Sequence, residues 1–347
     1  MREGDNVIVF ENKPSVRCWS AVVGKKESEG PLAEHFDLVI DDILAGQESW
    51  ELAESQFQRT SIGLLLKKSG FKSQEIDVIF AGDLLNQCSG TGYGIRDFEI
   101  PFSGVYGACS TSVLSVINAA IGVNAGQFDN AIAGTSSHFC SAEKQFRQPL
   151  EYGGQRTPTS QWTVTGAASV LVTSDKNPEY PKIEKAIIGK IVDKGVTDPN
   201  NMGAAMAPAA AQTIADFLKD TQTLPEDYDM ILSGDLGKIG SKLLYEILEN
   251  EFGINIRNVH NDAGMMIYYI DEQDVHSGGS GCACCGCVLC AKILNDLRYG
   301  KIKRVLVVAT GALLSSISTL QGETIPSVAH GILLTGEGSA NENTIYK

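Results

Sequence analysis

The chain has 347 residues, 43% of them hydrophobic, and a formal net charge of −14, enough length and apolar content for a substantial core in two domains or one large α/β unit. The acidic balance argues against sequence-independent nucleic-acid binding and against electrostatic adhesion to anionic lipid, so an anionic ligand must be held by local groups. No apolar run reaches the roughly 18 residues of a membrane span, Met1 to Asn6 lack the pattern of a signal peptide, and nine cysteines, an odd number, do not read as a disulfide framework; a soluble chain in a reducing compartment is expected.

Residues 7–46 mix strand-like runs, Val7 to Phe10 and Trp19 to Val23, with a charged connection. Residues 49–69 follow as an amphipathic helix, with Leu52, Phe57, Ile62, Leu65 and Leu66 at helical spacing and Gly70 as its stop signal. A buried strand is expected over Ile76 to Leu84. The stretch Ile100 to Val113 then runs from a short extended segment through a tight turn of small residues into an apolar helix, with Cys109 on the bend. A thiol there has the first free N–H groups of the helix beneath it, a partial positive charge that favours thiolate and suits a nucleophile or an anion site. The helix Val113 to Val123 ends near Gly126 and leads into the strand Asn130 to Thr135. Helices followed by apolar strands imply βαβ units.

Two segments recur. Phe71 to Leu84 is echoed by Leu224 to Leu236, with Gly-Asp-Leu at the same place, and Gly126 to Thr135 is echoed by Gly300 to Thr310. Two pairs in the same order fit a duplicated α/β half, dividing the chain into residues 1–175 and 176–347. The second copy of the central helix contains Cys282, Cys284, Cys285, Cys287 and Cys290. At 100° per residue these point almost all round the axis, so no single ion gathers four of them, and the pattern reads as a helix packed closely on every side rather than as a metal site.

A duplicated α/β half, a Cys at the start of a small-residue helix in the first copy and a His before the matching helix in the second resemble the thiolase and ketoacyl-synthase superfamily. Across essentially its whole length the chain further resembles a family of sporulation proteins of spore-forming bacteria within it. That likeness is carried by Gly107 to Thr111, Ala133 to His138, Asn200 to Ala209, Val275 to Cys282 and Ile325 to Gly331. The resemblance implies a five-layered α-β-α-β-α fold with two buried central helices, starting near Cys109 and Gly281. It places Cys109 at the family nucleophile and His276 at one of the two polar partners. At the other partner Gly234-Asp235 stands where the enzymes have a His, and a carboxylate there neither donates to a developing oxyanion nor favours a thiolate.

The sporulation resemblance therefore implies a non-catalytic binding component for dipicolinic acid, pyridine-2,6-dicarboxylate, in a spore uptake and release system. The other reading is an acyl-CoA-dependent acyltransferase or condensing enzyme acting through Cys109, and a third is a purely structural subunit of a membrane complex. The expected dipicolinate site gathers Cys109 at the helix N-terminus, protonated His276 and His138, Asp235, and His330 near the C-terminal pocket wall, so that binding weakens as pH rises through the histidine range. Arg156, with Lys144 and Arg147, lies in a polar connection where a cation either meets a ligand carboxylate or stays solvated. His35 and His260 are read as structural. No metal and no cofactor is implied. The implied partners are a second copy of the chain, pairing through Asn130 to Thr135, and other proteins of the sporulation membrane complex; these would hold a chain made without a signal peptide at the spore inner membrane.

Overall fold

The structure is a computed structural model and describes residues 1–146 and 155–338. Its framework is two copies of one five-stranded sheet. The first uses β1 (Ser15–Gly24), β2 (Val78–Gly82), β3 (Phe102–Gly104), β4 (Asn130–Ser137) and β5 (Gly166–Thr173), in the spatial order β3-β2-β4-β5-β1. The second uses β6 (Lys182–Ile187), β7 (Met230–Ser233), β8 (His260–Asp262), β9 (Arg304–Ala312) and β10 (Ser327–Thr335), in the order β8-β7-β9-β10-β6. Pairing matches strand for strand: β2 lies parallel to β3 and β4 as β7 does to β8 and β9, and the remaining pairs are antiparallel in both copies. A short contact between Ser15 and Lys182 joins β1 to β6, so the two sheets run on into each other.

Alternation along the strands sets the layers. Outward-facing Ile79, Ala81, Ile132 and Leu171 of the first sheet bury Ile62, Leu65 and Leu66 of helix α1 (Trp50–Ser69). Leu306, Val308, Ile231 and Leu333 of the second sheet cover Met206, Ile214 and Phe217 of another helix (Met202–Thr221). The alternate residues, Val78 and Val170 from one sheet and Val305, Val307 and Ile332 from the other, close on a shared interior. That interior holds two central helices, Thr111–Asn124 and Cys282–Val288. The result is the five-layered α-β-α-β-α architecture. Helix α1 starts where the Ser49 hydroxyl accepts from Leu52 N at 3.3 Å and ends at Gly70, whose φ of 75° is left-handed.

All five cysteines between 282 and 290 are buried. Their small side chains suit a helix with sheet and helix against it on every side. A Cβ added at Gly286 would lie 2.8 Å from the Thr135 methyl and 3.0 Å from Ala168 Cβ. Among the described residues no cluster of His, Cys, Asp or Glu is placed to hold a metal ion.

The duplication extends to single hydrogen bonds. Asp77, just before β2, accepts from the backbone N–H groups of Asp129 and Asn130 at 2.7 and 2.9 Å; Asp229, just before β7, accepts from Lys303 and Arg304 at 2.7 and 2.9 Å. Each carboxylate fastens the start of one strand to the start of its neighbour. One expectation is corrected here. Asn130 to Thr135 does not offer a free edge to a second chain, because β4 is hydrogen-bonded to β2 on one side and β5 on the other. The edge of the first sheet is β3, whose three residues are exposed.

Asp77→Ala and Asp229→Ala should each lower stability by about 0.5–1.5 kcal/mol, the range for an ordinary net hydrogen bond, because both carboxylates are exposed. The double variant should show the sum, since the two clamps share no partner. Urea denaturation of the three variants measures both points; a marked departure from additivity would mean that the halves are coupled through these strand starts.

Candidate functional site

The turn carrying Cys109 is held from several directions. Gly107 O accepts from Ser110 N at 3.1 Å and from Ser110 Oγ at 2.5 Å, Thr111 Oγ1 donates to Ala108 O at 2.6 Å, and Cys282 Sγ donates to the same carbonyl at 3.1 Å. Those clamps keep Ala108 at φ 50°, a left-handed conformation that costs a side chain on the order of 1 kcal/mol. Close approach to β9 needs Gly311, where a Cβ would sit 2.3 Å from Gly107 O and 3.2 Å from Ala108 Cβ. The two central helices thus begin side by side, one just after Cys109 and the other at Cys282.

Behind Cys109 runs a chain of polar contacts. Cys109 Sγ lies 4.0 Å from Ser280 Oγ, and Ser280 Oγ donates to Asp235 Oδ2 at 3.2 Å. The same carboxylate accepts from Gly281 N at 3.0 Å and, through Oδ1, from Thr310 Oγ1 at 2.6 Å. Because Ser280 gives its proton to Asp235, its oxygen faces the thiol as an acceptor, so Cys109 is the donor. Burial pushes the thiol well above its ordinary range, with Asp235 and then Cys282 adding to the shift. Burial also raises Asp235, to about 6. The thiolate expected from the helix N-terminus is therefore not favoured: loss of solvent and a carboxylate behind the sulfur outweigh the backbone N–H groups.

In front of Cys109 is a narrow cleft of about 30 Å³, lined mainly by apolar groups that include Leu84, Tyr106, Phe146, Met202, Ala312 and Leu314. Among the described residues lining it there is no histidine, lysine or arginine, and Glu143 contributes an acid. The sequence-derived candidates do not converge there. His138 is fully buried, with Nε2 against Ile43 O at 2.7 Å and Nδ1 accepting from Cys140 N at 3.2 Å, so both ring nitrogens serve the backbone. His330 stands behind the turn on β10, its Nδ1 accepting from Gly189 N at 3.2 Å. Burial lowers His138 and takes His330 down to about 4, so neither is a protonated donor near neutrality, and the expected histidine-range pH dependence has no support from this pair.

His276 does not face Cys109: Ser280 takes that place, and His276 Nε2 is 3.5 Å from Asp274 Oδ1. Asp235 supports the site from behind without lining the cleft. Arg156 lies elsewhere, donating to Asp274 O at 2.5 Å with its guanidinium 4.7 Å from the Trp162 ring centre. Lys144 pairs with Glu51 at 2.6 Å, and Arg147 lies outside the described residues. His260 is structural, held between Ser233 Oγ at 2.9 Å and Tyr245 Oη at 2.8 Å.

The sequence reading passed over Ser280 and Thr310, which hold Asp235, and a buried acidic pair, Glu54 and Asp83. Asp83 is the first-copy counterpart of Asp235 in the repeated Gly-Asp-Leu, a signal that pointed to it. Its carboxylate accepts from Leu85 N at 2.7 Å and Thr91 N at 2.6 Å. Glu54 accepts from Ser136 Oγ at 3.3 Å and Ser141 Oγ at 2.6 Å. Burial, reinforced by Asp83, raises Glu54 to about 8. Glu54 behind the cleft thus keeps its proton near neutrality, and among the described residues the lining carries one carboxylate, Glu143, and no cationic side chain.

Comparison with known proteins agrees with the architecture. The family described as Stage V sporulation protein AD matches residues 4–335. A protein of that name from Bacillus subtilis (strain 168) is 44% identical over 338 residues, covering 97% of this chain and 99% of the relative. Among solved structures, 3-oxoacyl-[acyl-carrier-protein] synthase III from Aquifex aeolicus VF5 aligns with TM-score 0.55 at 11% identity, over 93% of this chain and 99% of that one. A substituted OleA from Xanthomonas campestris with cerulenin gives TM-score 0.59 at 12% identity, over 96% and 97%. AbyA1, a tetronic acid condensing enzyme, gives 0.58 at 15% identity, over 93% and 100%. These structural likenesses establish the thiolase-like fold.

The raised Glu54 gives a signed prediction. Between its ordinary 4.5 and about 8 the folded chain holds a proton that the unfolded chain releases, so this group's contribution to stability declines as pH rises through that window. Glu54→Gln should remove the loss: its denaturation midpoint should exceed the parent's at pH 8.5, by on the order of a few kcal/mol in stability, and converge with it near pH 4. Urea titrations at the two pH values read the difference, and equal pH slopes for both proteins would contradict it.

Proposed function

Because the chain belongs to the stage V sporulation protein AD family and so has a role in sporulation, we propose that it is a non-catalytic binding component for dipicolinic acid that has kept the condensing-enzyme fold without its chemistry. One observation carries this reading. The thiol at the nucleophile position is buried, donates to Ser280 and is backed by Asp235, while the three histidines that could have served it are engaged elsewhere. Condensation needs a thiolate and donors aimed at a developing oxyanion. Here burial and the neighbouring carboxylate favour the protonated thiol, and the apolar residues of the cleft bring no such donor.

The partners follow from the same reading. Among the described residues no helix is long and apolar enough to cross a membrane, so attachment at the spore inner membrane runs through other proteins of the sporulation complex. A homodimer would extend the first sheet across β3, whose outer edge has no strand partner among the described residues and which carries exposed Phe102, with exposed Tyr106 two residues beyond its end.

Calorimetry with dipicolinate tests the proposal. Binding is expected for the parent chain, and Cys109→Ser should change its affinity by less than about twofold. Absence of binding by the parent would remove the reading, and its loss confined to Cys109→Ser would point to covalent chemistry at the thiol instead of non-covalent binding.

A further inference from the structure

A thin partition stands between the Cys109 cleft and the surface. Leu84 lines the cleft, while the next residue, Leu85, lines a separate surface hollow of about 280 Å³. The helix Phe139–Phe146 is shared in the same way, with Ala142 and Phe146 on the cleft and Ser141 and Gln145 on the hollow. Gln145 Nε2 laces the two parts together, donating to Leu84 O at 3.2 Å and to Asn86 Oδ1 at 3.1 Å.

This partition rests on the buried acids. Asp83 directly precedes Leu84 and holds the backbone of Leu85 and Thr91, and Glu54 is bonded to Ser141 on the hollow. Across the pair lies the helix Ser89–Ile95, with three glycines in its seven residues, Ser-Gly-Thr-Gly-Tyr-Gly-Ile. Gly90 permits that seat, since a Cβ there would lie 3.3 Å from Asp83 Oδ2 and 3.5 Å from Glu54 Cδ.

Three features weaken the helix. Each glycine disfavours it about fivefold relative to alanine. The chain enters it through Gln87 and Cys88 at φ 57° and 52°, left-handed conformations that strain a side chain. Beneath it, 3.1 Å from where a Cβ at Gly94 would stand, Gln58 is fully buried, and neither of its amide atoms has a hydrogen-bond partner, a deficit that admission of water removes. Only past its far end does an ion pair, Arg59 with Asp97, tie the segment back to α1.

We propose that Glu54 and Asp83 form a proton-operated latch: while the pair keeps a proton the helix Ser89–Ile95 stays seated, and when both carboxylates are charged residues 84–95 open locally and the cleft widens at Leu84. Burial, and then Asp83, raise Glu54 to about 8, so the second charge arrives in the weakly alkaline range. The groups around the pair do not relieve it. Glu51, one turn earlier, adds a like charge and is itself paired with Lys144 at 2.6 Å. The Cys88 and Cys282 thiols and the Tyr106 phenol, all raised by burial, stay neutral, and Thr91, Ser136 and Ser141 bring hydroxyls.

Hydrogen exchange of the full chain at pH 6.5 and 9.0, read by mass spectrometry and corrected for the intrinsic rate, tests the latch in the parent, Glu54→Gln and Gly92→Ala. Between the two pH values, protection of peptides within 84–95 should fall at least tenfold in the parent, as linkage to the Glu54 proton requires, and less than threefold in Glu54→Gln. Gly92→Ala, whose added methyl meets nothing within 4 Å, should raise that protection about fivefold at pH 9.0. Strand β9 should keep its protection throughout. Unchanged protection of 84–95 in the parent, an equal fall in Glu54→Gln, no gain in Gly92→Ala, or a fall shared by β9 would each overturn the latch.

Discussion

Asp235 sits fully buried where the two central helices begin, and the local arrangement depends on keeping it satisfied. Ser280, Gly281 and Thr310 donate to its side chain, and Gln161 Nε2 donates to its backbone carbonyl at 2.6 Å. A buried carboxylate is tolerated only when its oxygens are bonded or it holds a proton. Both conditions shape the neighbourhood: the donors tie the second central helix to β9, and the raised affinity for a proton is matched by a thiol that keeps its own. The polar network therefore organises the start of the helices, and burial together with this carboxylate pushes the sulfur in front of it toward the protonated thiol.

The duplicated framework explains how such a site could arise without loss of the fold. Both halves place an Asp after the first parallel strand, both clamp neighbouring strand starts through an Asp, and both feed a small-residue helix into the shared interior. These contacts hold layers together and require no chemistry at Cys109.

Much of this was legible in the sequence because it rests on local rules. The helix ending at Gly70, the strand at Asn130, the all-round cysteine helix and the Gly-Asp-Leu repeat follow from periodicity and spacing. The superfamily likeness then supplied the fold. Legibility failed where side chains choose among partners brought together from distant segments. His138 and Ile43 are far apart in sequence, as are His330 and Gly189, and nothing in their spacing said that each ring would be spent on backbone groups. The thiol was read in part: the helix N-terminus and the carboxylate of Asp235 could both be seen, but the burial that pushes the thiol up most comes from packing against the second half of the chain. The strand taken for a dimer edge was misplaced because sheet order is set by pairing, and β4 has neighbours on both sides.

The central claim is that the sulfur at the old nucleophile position is chemically idle in the folded protein. Intact-protein mass spectrometry after incubation with acetyl-CoA and with a longer acyl-CoA at neutral pH tests it most directly. The account predicts an unchanged mass and no acyl group on Cys109 after proteolysis; a stable thioester on Cys109 in the parent chain, absent from Cys109→Ser, would contradict it.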